Sequence, residues 1–182
     1  MKDIKTAVAD ILNTFDDTGY PAGFLEKYDP MECLAGSHGT ETFLVRQKGG
    51  GKLYVAKCYD KNLYSAVHEG GILKSLSHSG LPAFEDEFQN DHVVCIVREY
   101  VVGKPLDRYI NENKPAKKDI VGICVQLCDI LIYLHEQEQP VIHRDIKPQN
   151  IIVKPDGTIS LIDFDISRIY HDDTKADTQF IG

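Results

Sequence analysis

Residues 143–150 of this 182-residue chain read His-Arg-Asp-Ile-Lys-Pro-Gln-Asn. These eight positions hold a basic pair (His143, Arg144), a carboxylate (Asp145), an ammonium (Lys147) and an amide (Asn150). A positioned carboxylate can accept or orient the proton of a hydroxyl, and amide and carboxylate oxygens together suit a hard cation. Apolar runs flank the stretch, Leu131-Ile132-Tyr133-Leu134 before it and Ile151-Ile152-Val153 after it. A polar loop between two buried elements is how a fold keeps a reactive group in a fixed place. Thirteen residues beyond Asn150 stands a second carboxylate, Asp163, in Leu161-Ile162-Asp163-Phe164-Asp165.

The elements that must position these groups follow from periodicity. Ile4, Val8, Ile11, Leu12 and Phe15 form one helical stripe over residues 3–15, and Asp16 to Pro21 end it with turn residues. This helix either packs on its own domain or serves as a contact for a partner or a second copy. Short apolar runs at 31–34, 42–45 and 53–58 predict three antiparallel strands, with turns at 35–40 and 48–52. Glu69 opens a short helix whose Gly70-Gly71 weakens it by about 1 kcal/mol per Gly relative to Ala. Residues 81–88 and 92–97 predict two more strands, and a helix follows near 105–112, broken at Asn113-Lys114-Pro115. The longest helical pattern spans 115–138, with Ile120, Ile123, Cys124, Leu127, Ile130, Leu131 and Leu134 as its buried face.

Composition sets limits on function. The net charge of −8 argues against a nucleic-acid partner. No apolar run is long enough for a bilayer span, and Met1 to Lys5 have no signal-peptide character, so a cytoplasmic location is expected, with any anchor lying beyond residue 182. Five cysteines (33, 58, 95, 124, 128), an odd number without a C-x-x-C pair, predict buried thiols in a reducing compartment.

The stretch His143–Asn150 and the segment Asp163-Phe164-Asp165 resemble the catalytic loop (H-R-D-L-x-x-x-N) and the D-F-G segment of protein kinases, with Ile146 for Leu and Asp165 for Gly. Tyr54-Val55-Ala56-Lys57 resembles the V-A-I-K strand, and Glu69 to His78 resembles the family's C-helix. Arg98 to Gly103 resembles the hinge between kinase lobes. The order of Lys57, Glu69, Asp145, Asn150 and Asp163 matches the family, and the likeness covers roughly residues 30–182 and looks closest to bacterial Ser/Thr kinases. The resemblance implies an α+β, protein-kinase-like fold. Residues 1–30 would be a helical extension, 31–98 an antiparallel N-lobe sheet with its C-helix, and 99–182 the hinge and a truncated, mainly helical C-lobe.

What the resemblance implies for chemistry is phosphoryl transfer from ATP with Mg²⁺. Asp145 would accept or orient the substrate hydroxyl proton, Lys147 would steady the γ-phosphate, and Asn150 and Asp163 would hold Mg²⁺. Lys57, held by Glu69, would bind the α- and β-phosphates. Ala35, Gly36, Ser37, His38, Gly39 and Thr40 stand where the glycine-rich loop would be, though no glycine is in the family register; Val55 and the backbone of Glu99 and Val101 would meet the nucleotide base. Arg98 occupies the position that lines the back of that pocket, either closing it with a salt bridge or pointing elsewhere. Arg144 would pair with a phosphate on the activation segment, where Thr174 and Thr178 are candidate phosphosites. His143, Phe164, Leu73 and Phe84 resemble the family's stacked apolar column. The expected A-P-E segment does not follow by Gly182, so the chain reads as a truncated product or one piece of a longer protein. Three functions stay open: a Ser/Thr kinase with a protein substrate of unknown identity; a pseudokinase or regulatory fragment that binds nucleotide or a partner without turnover; and, set below both by the Lys147 motif and the threonine-bearing end, a small-molecule kinase sharing the fold.

Overall fold

The computed structural model describes residues 19–64 and 66–170. The helix expected over 3–15, with any self-association through it, and the candidate phosphosites Thr174 and Thr178 lie outside them. The described chain divides into two units, the first comprising residues up to Ser77 and Pro82–Val101, the second His78–Leu81 and the residues from Val102 onward.

The first unit is built on five antiparallel strands: β1 (Tyr28–Ser37), β2 (Thr40–Gln47), β3 (Leu53–Asp60), β4 (Phe84–Gln89) and β5 (Val93–Glu99), in the order β1-β2-β3-β5-β4. Alternation along β3 and β5 sends residues to two faces. Tyr54, Ala56, Cys58, Val93, Cys95 and Val97 turn to one face, where Tyr20, Phe24, Tyr28 and Phe43 complete a core. Tyr59, Val94 and Ile96 turn to the other.

Helix α1 (Ala22–Lys27) supplies the first face with Phe24, which is fully buried. Its six residues are too few for a helix that stands alone, so packing holds it. The Phe24 ring lies 5.9 Å from Tyr28 and 6.1 Å from Phe88. Lys27 donates to Asp86 at 2.7 Å, and the Tyr28 hydroxyl donates to the same carboxylate. Tyr28 opens β1 and Asp86 lies on β4, the opposite edge strand, so the sheet curls until its two edges approach each other over α1. The sequence reading set residues 1–30 apart as an extension; Tyr20, Phe24 and Tyr28 instead belong to the core of the sheet. Aromatics at 20, 24 and 28, four residues apart, were the signal, and the turn residues around them masked it.

Helix α2 (Glu69–Ser75) covers the second face with Glu69, Ile72 and Leu73. It is short, as the glycine pair predicts. Gly70 has a packing reason: a Cβ there would lie 2.8 Å from Ile96 Cδ1 and 2.9 Å from a Glu87 oxygen. The glycine lets α2 approach the sheet closely enough to bury Glu69.

In the second unit, α3 (Leu106–Asn113) ends at Lys114, whose left-handed backbone (φ 46°) lets its N–H cap Ile110. Helix α4 (Lys117–His135) starts where the Asp119 carboxylate accepts the N–H of Ala116, half of a capping box, since Ala116 has no acceptor of its own. Short strands finish the unit: β6 (Lys104–Pro105), β7 (Val141–Ile142), β8 (Ile151–Val153), β9 (Ile159–Leu161) and β10 (Arg168–Ile169), paired as β6-β8-β9 and β7-β10. The expected strand from Leu81 starts only at Phe84, because His78–Leu81 form a turn in this second unit; the Leu81 N–H bonds His78 and Gly80 bonds Leu161. None of the described helices is long and apolar enough to cross a membrane.

The cysteine expectation fails. Cys58 and Cys95 form a disulfide between directly opposed positions of β3 and β5, while Cys33, Cys124 and Cys128 are exposed. The buried face of α4 is also narrower than its periodicity suggests. Ile123, Ile130 and Leu134 are buried, whereas Cys124, Val121, Val125 and Ile132 are exposed.

Candidate active site

The loop from His143 to Asn150 is anchored from below by the histidine. His143 is buried, its Nε2 donates to the Ile162 carbonyl at 3.1 Å, and its Nδ1 faces the Asp145 N–H at 3.3 Å. Nδ1 accepts a bond, so the ring is the neutral Nε2–H tautomer. Its edge meets Phe164 with ring centroids 4.7 Å apart, and Ser167 donates to the His143 carbonyl at 3.0 Å. The Ile162 N–H donates to Asn150 O at 2.8 Å. The imidazole, through Ile162 and Phe164, and two further bonds, Ser167 to the His143 carbonyl and Ile162 N–H to the Asn150 carbonyl, therefore tie the loop to the Asp163 segment.

Two non-glycine residues in this region adopt left-handed backbone, Arg144 (φ 67°) and Asp163 (φ 71°). Such positions cost about 1–3 kcal/mol and persist where surrounding contacts over-determine them; the His143 anchor supplies those contacts.

Asp145 is held through one oxygen. Its Oδ2 accepts from Lys147 at 2.7 Å and from Asn150 Nδ2 at 2.8 Å, and Asn150 Nδ2 also reaches the Asp145 carbonyl at 2.9 Å. Among the described residues Oδ1 has no hydrogen-bond donor, so it is the oxygen open to an incoming hydroxyl. Lys147, expected at a phosphate, is here the partner of Asp145. Asn150, 5% exposed, turns its NH₂ to Asp145 and so keeps Oδ1 of the amide as a ligand oxygen. A 3-10 turn over Pro148–Asn150 sets this direction, and Gln149 donates to Asp107 of α3 at 3.0 Å, a tie that the sequence did not suggest. Arg144 is exposed.

The first unit gathers the other expected residues. Lys57 is 8% exposed, with its ammonium 5.6 Å from the Tyr59 ring centroid. Glu69 is 1% exposed, but its carboxylate engages residues that the resemblance did not assign to it: Tyr59 donates to Oε2 at 2.5 Å, and Arg98 Nε faces Oε1 at 3.7 Å. Of the two orientations open to Arg98, the structure has the one that makes a salt bridge. Tyr59 was legible in principle, since it lies two residues from Lys57 and shares its face. Leu73 is buried on α2, and Phe84 packs beside Tyr59, Val94 and Ile96.

Residues 35–40, expected as an open turn, are almost wholly strand. Ala35 pairs Thr42, Gly36 pairs Glu41 and Ser37 pairs Thr40, leaving His38-Gly39 as the tip. Gly39 (φ 82°) permits this tight hairpin, and Ser37 Oγ meets Thr40 Oγ1 at 2.5 Å across it. At the hinge the Glu99 N–H is already bonded to Ala83 O at 2.8 Å, so a base contact at Glu99 falls to its carbonyl. Val55 is buried opposite Arg98, and Val101 is half-buried.

Burial pulls the His143 imidazole below the usual histidine range. The folded state therefore binds a proton less readily than the unfolded chain, whose histidines titrate near pH 6.5. The contribution of His143 is complete above about pH 6.5 and declines as pH falls towards the lowered folded value. We expect thermal melts between pH 7.5 and 5.5 to show a loss in the native protein that is shallower in His143→Phe; parallel curves would refute it.

Comparison with known proteins gives the same family from an independent direction. The protein kinase domain matches residues 35–182. The chain is 29% identical over 167 residues to mouse serine/threonine-protein kinase Nek1, covering 87% of this chain and 14% of that protein. It is 28% identical over 164 residues to serine/threonine-protein kinase 36 of Pongo abelii, covering 87% and 12%. It is 39% identical over 101 residues to serine/threonine-protein kinase cds1 of Schizosaccharomyces pombe, covering 55% and 22%. These relatives are eukaryotic, which gives no support to the expected likeness to bacterial enzymes. The chain spans about one-eighth to one-fifth of their lengths. With the domain matched across most of the chain, an antiparallel five-stranded sheet bearing Lys57, and Asp145 poised between Lys147 and Asn150, the chain belongs to the protein kinase family.

Proposed function

We propose that the protein, or the longer protein of which this chain is part, is a serine/threonine protein kinase that transfers the γ-phosphoryl group of Mg-ATP to a Ser or Thr hydroxyl. The observation that carries this reading is Asp145, fixed through Oδ2 by Lys147 and Asn150 with Oδ1 open. A hydroxyl presented to Oδ1 is oriented for in-line attack and gives up its proton there. The lysine two residues after Asp145 resembles the Ser/Thr-directed enzymes, and the relatives carry that name.

The residues present fit the cofactor. Asn150 Oδ1 and the Asp163 carboxylate are hard oxygen ligands, and no group of three or more His, Cys, Asp or Glu side chains that could hold a metal occurs among the described residues. Few protein ligands with the remainder from water and phosphate is the pattern of Mg²⁺ rather than zinc. Bound there, the metal supplies charge neutralisation on the β- and γ-phosphates. On the first unit Lys57 would hold the α- and β-phosphates, residues 35–40 would lie along the triphosphate, and the Glu99 carbonyl, Val101 and Val55 would meet the base. A second reading, a nucleotide-binding module without turnover, draws on Glu69, whose carboxylate faces Tyr59 and Arg98. A cytoplasmic location stays part of the proposal, although the Cys58–Cys95 disulfide removes the support that reduced cysteines would have given it.

The test incubates the 182-residue chain, and any longer natural form, with Mg-ATP and a Ser/Thr-rich acceptor protein. We expect Mg-ATP to raise the melting temperature and phosphate to appear on Ser or Thr. Binding without transfer in every form would select the second reading, and neither binding nor transfer would sink both.

A further inference from the structure

Arg98 sits on β5, where the register Val55↔Arg98 and Lys57↔Ile96 places it on the same face of the sheet as Lys57 and Tyr59. The side chain is 8% exposed and the Glu69 side chain 1%. Each oxygen of the Glu69 carboxylate has one neighbour of opposite polarity. Oε2 accepts the Tyr59 hydroxyl, and Oε1 faces Arg98 Nε at 3.7 Å. That separation exceeds a hydrogen bond, and neither Oε1 nor Nε has another hydrogen-bond partner. A carboxylate this deeply buried is tolerated only beside a cation. Arg98 is a permanent one, since guanidinium keeps its charge at any accessible pH.

The helix that carries Glu69 needs such a tie. It has seven residues, no side-chain cap at its start and two glycines in its first turn. Beyond the apolar contacts of Gly70, Ile72 and Leu73, the described anchors of α2 are Glu69 and the half-exposed Lys74, which pairs with Glu87 at 2.9 Å and lies 4.7 Å from the Phe84 ring centroid; exposed contacts of that kind contribute little.

We propose that Arg98 is a positioning residue: it holds Glu69, and through Glu69 it holds helix α2 on the sheet. The role matters for phosphoryl transfer only through the kinase reading above, but the pairing itself does not depend on that reading. The placement of α2 is then a property of the β5 arginine together with the β3 tyrosine. Among the described residues, the charged and titratable groups seen against α2 are Tyr59 from β3, Arg98 from β5 and Glu87 from β4.

Hydrogen–deuterium exchange over residues 69–76 of the purified protein tests this. We expect Arg98→Met, which keeps length but removes charge, to raise exchange in α2 at least tenfold while exchange in β1 and β2 changes far less. Arg98→Lys should restore most of the protection. Lys57→Met should disturb α2 less than Arg98→Met does. The decisive comparison is made in the Glu69→Gln background, where no charge needs a partner and Arg98→Met should add little. Equal effects of Arg98→Met in both backgrounds, or unchanged exchange in the single variant, would overturn the proposal. Should Arg98→Met fail to fold, folding of the Arg98→Met/Glu69→Gln double variant supports the pair, and failure of both variants to fold assigns Arg98 to packing and overturns it. None of these readouts needs turnover. A protein that behaves this way yet transfers no phosphoryl group would refute the proposed activity and leave the Arg98–Glu69 pair standing.

Discussion

Asp145→Asn is expected to lower phosphoryl transfer by about 10²–10⁴-fold at saturating substrate, the range for loss of a positioned general base, with the melting temperature nearly unchanged. The size follows from how the carboxylate is held. Oδ2 receives two donors, the Lys147 ammonium and the Asn150 amide. An asparagine at 145 has one oxygen and one NH₂ group. Its oxygen must stay with Lys147 and Asn150, since turning NH₂ towards them would set donor against donor. The NH₂ group is then left where Oδ1 was, and it presents hydrogen to a hydroxyl that needs an acceptor. The loop keeps its shape while the reactive position reverses polarity. Asp145→Ala should lose more than Asp145→Asn, because it also releases Lys147 and Asn150. A steady-state assay of the form shown to transfer phosphate, read alongside a melt, checks both variants. Retention of more than about one-tenth of the native rate in Asp145→Asn would remove Asp145 from the role of base.

Much of this arrangement could be read from the residues. The catalytic loop is a short continuous string whose spacing is its own evidence, and Lys57 is placed by a strand pattern of apolar residues. The short α2 follows from Gly70-Gly71, although the reason for Gly70, a close approach to Ile96 and Glu87, belongs to packing that no one-dimensional pattern records. What the sequence hid are pairings between distant positions. Cys58 and Cys95 are 37 residues apart, and they meet only because β5 is inserted beside β3 in the sheet order. Periodicity places each of them on a face but does not name the neighbour. Arg98 shows the same limit. Alternation with Val94 and Ile96 sends it to the covered face, yet that it meets Glu69 depends on the approach of α2. At α4 the failure is of another kind. An apolar stripe marks what can be buried, and the described neighbours cover only part of it, so Cys124 stays exposed beside a buried Ile123.

Phe24→Ala is expected to be the most destabilising single substitution outside the catalytic loop, by about 3–5 kcal/mol, the usual cost of removing a buried Phe ring. Phe24 has no exposed surface, and its ring meets those of Tyr20, Tyr28 and Phe88 at centroid distances of 6.1, 5.9 and 6.1 Å. These neighbours come from three different segments, so a collapse that filled the void would have to move the stretch before α1, β1 and β4 together. Rigid neighbours leave a cavity, and a cavity adds to the transfer cost. The loss compares with the whole stability of an ordinary domain, about 5–15 kcal/mol, and at about 4–8 °C per kcal/mol for a unit of 60–100 residues the melt should fall by more than 10 °C. Leu34→Ala, at a position 45% exposed, should change little and serves as the control. The same logic bears on where the folding unit begins. The family match starts at residue 35, yet Tyr20, Phe24 and Tyr28 cover Phe43, Val45, Tyr54 and Val97 on one face of the sheet. A protein started at residue 30 would expose that apolar face and lose the Tyr28 bond to Asp86 that draws the sheet edges together. It should aggregate, or melt far below the chain that retains α1. If Phe24→Ala and the shortened protein both melt within a few degrees of the native chain, then α1 merely decorates a sheet that is stable without it.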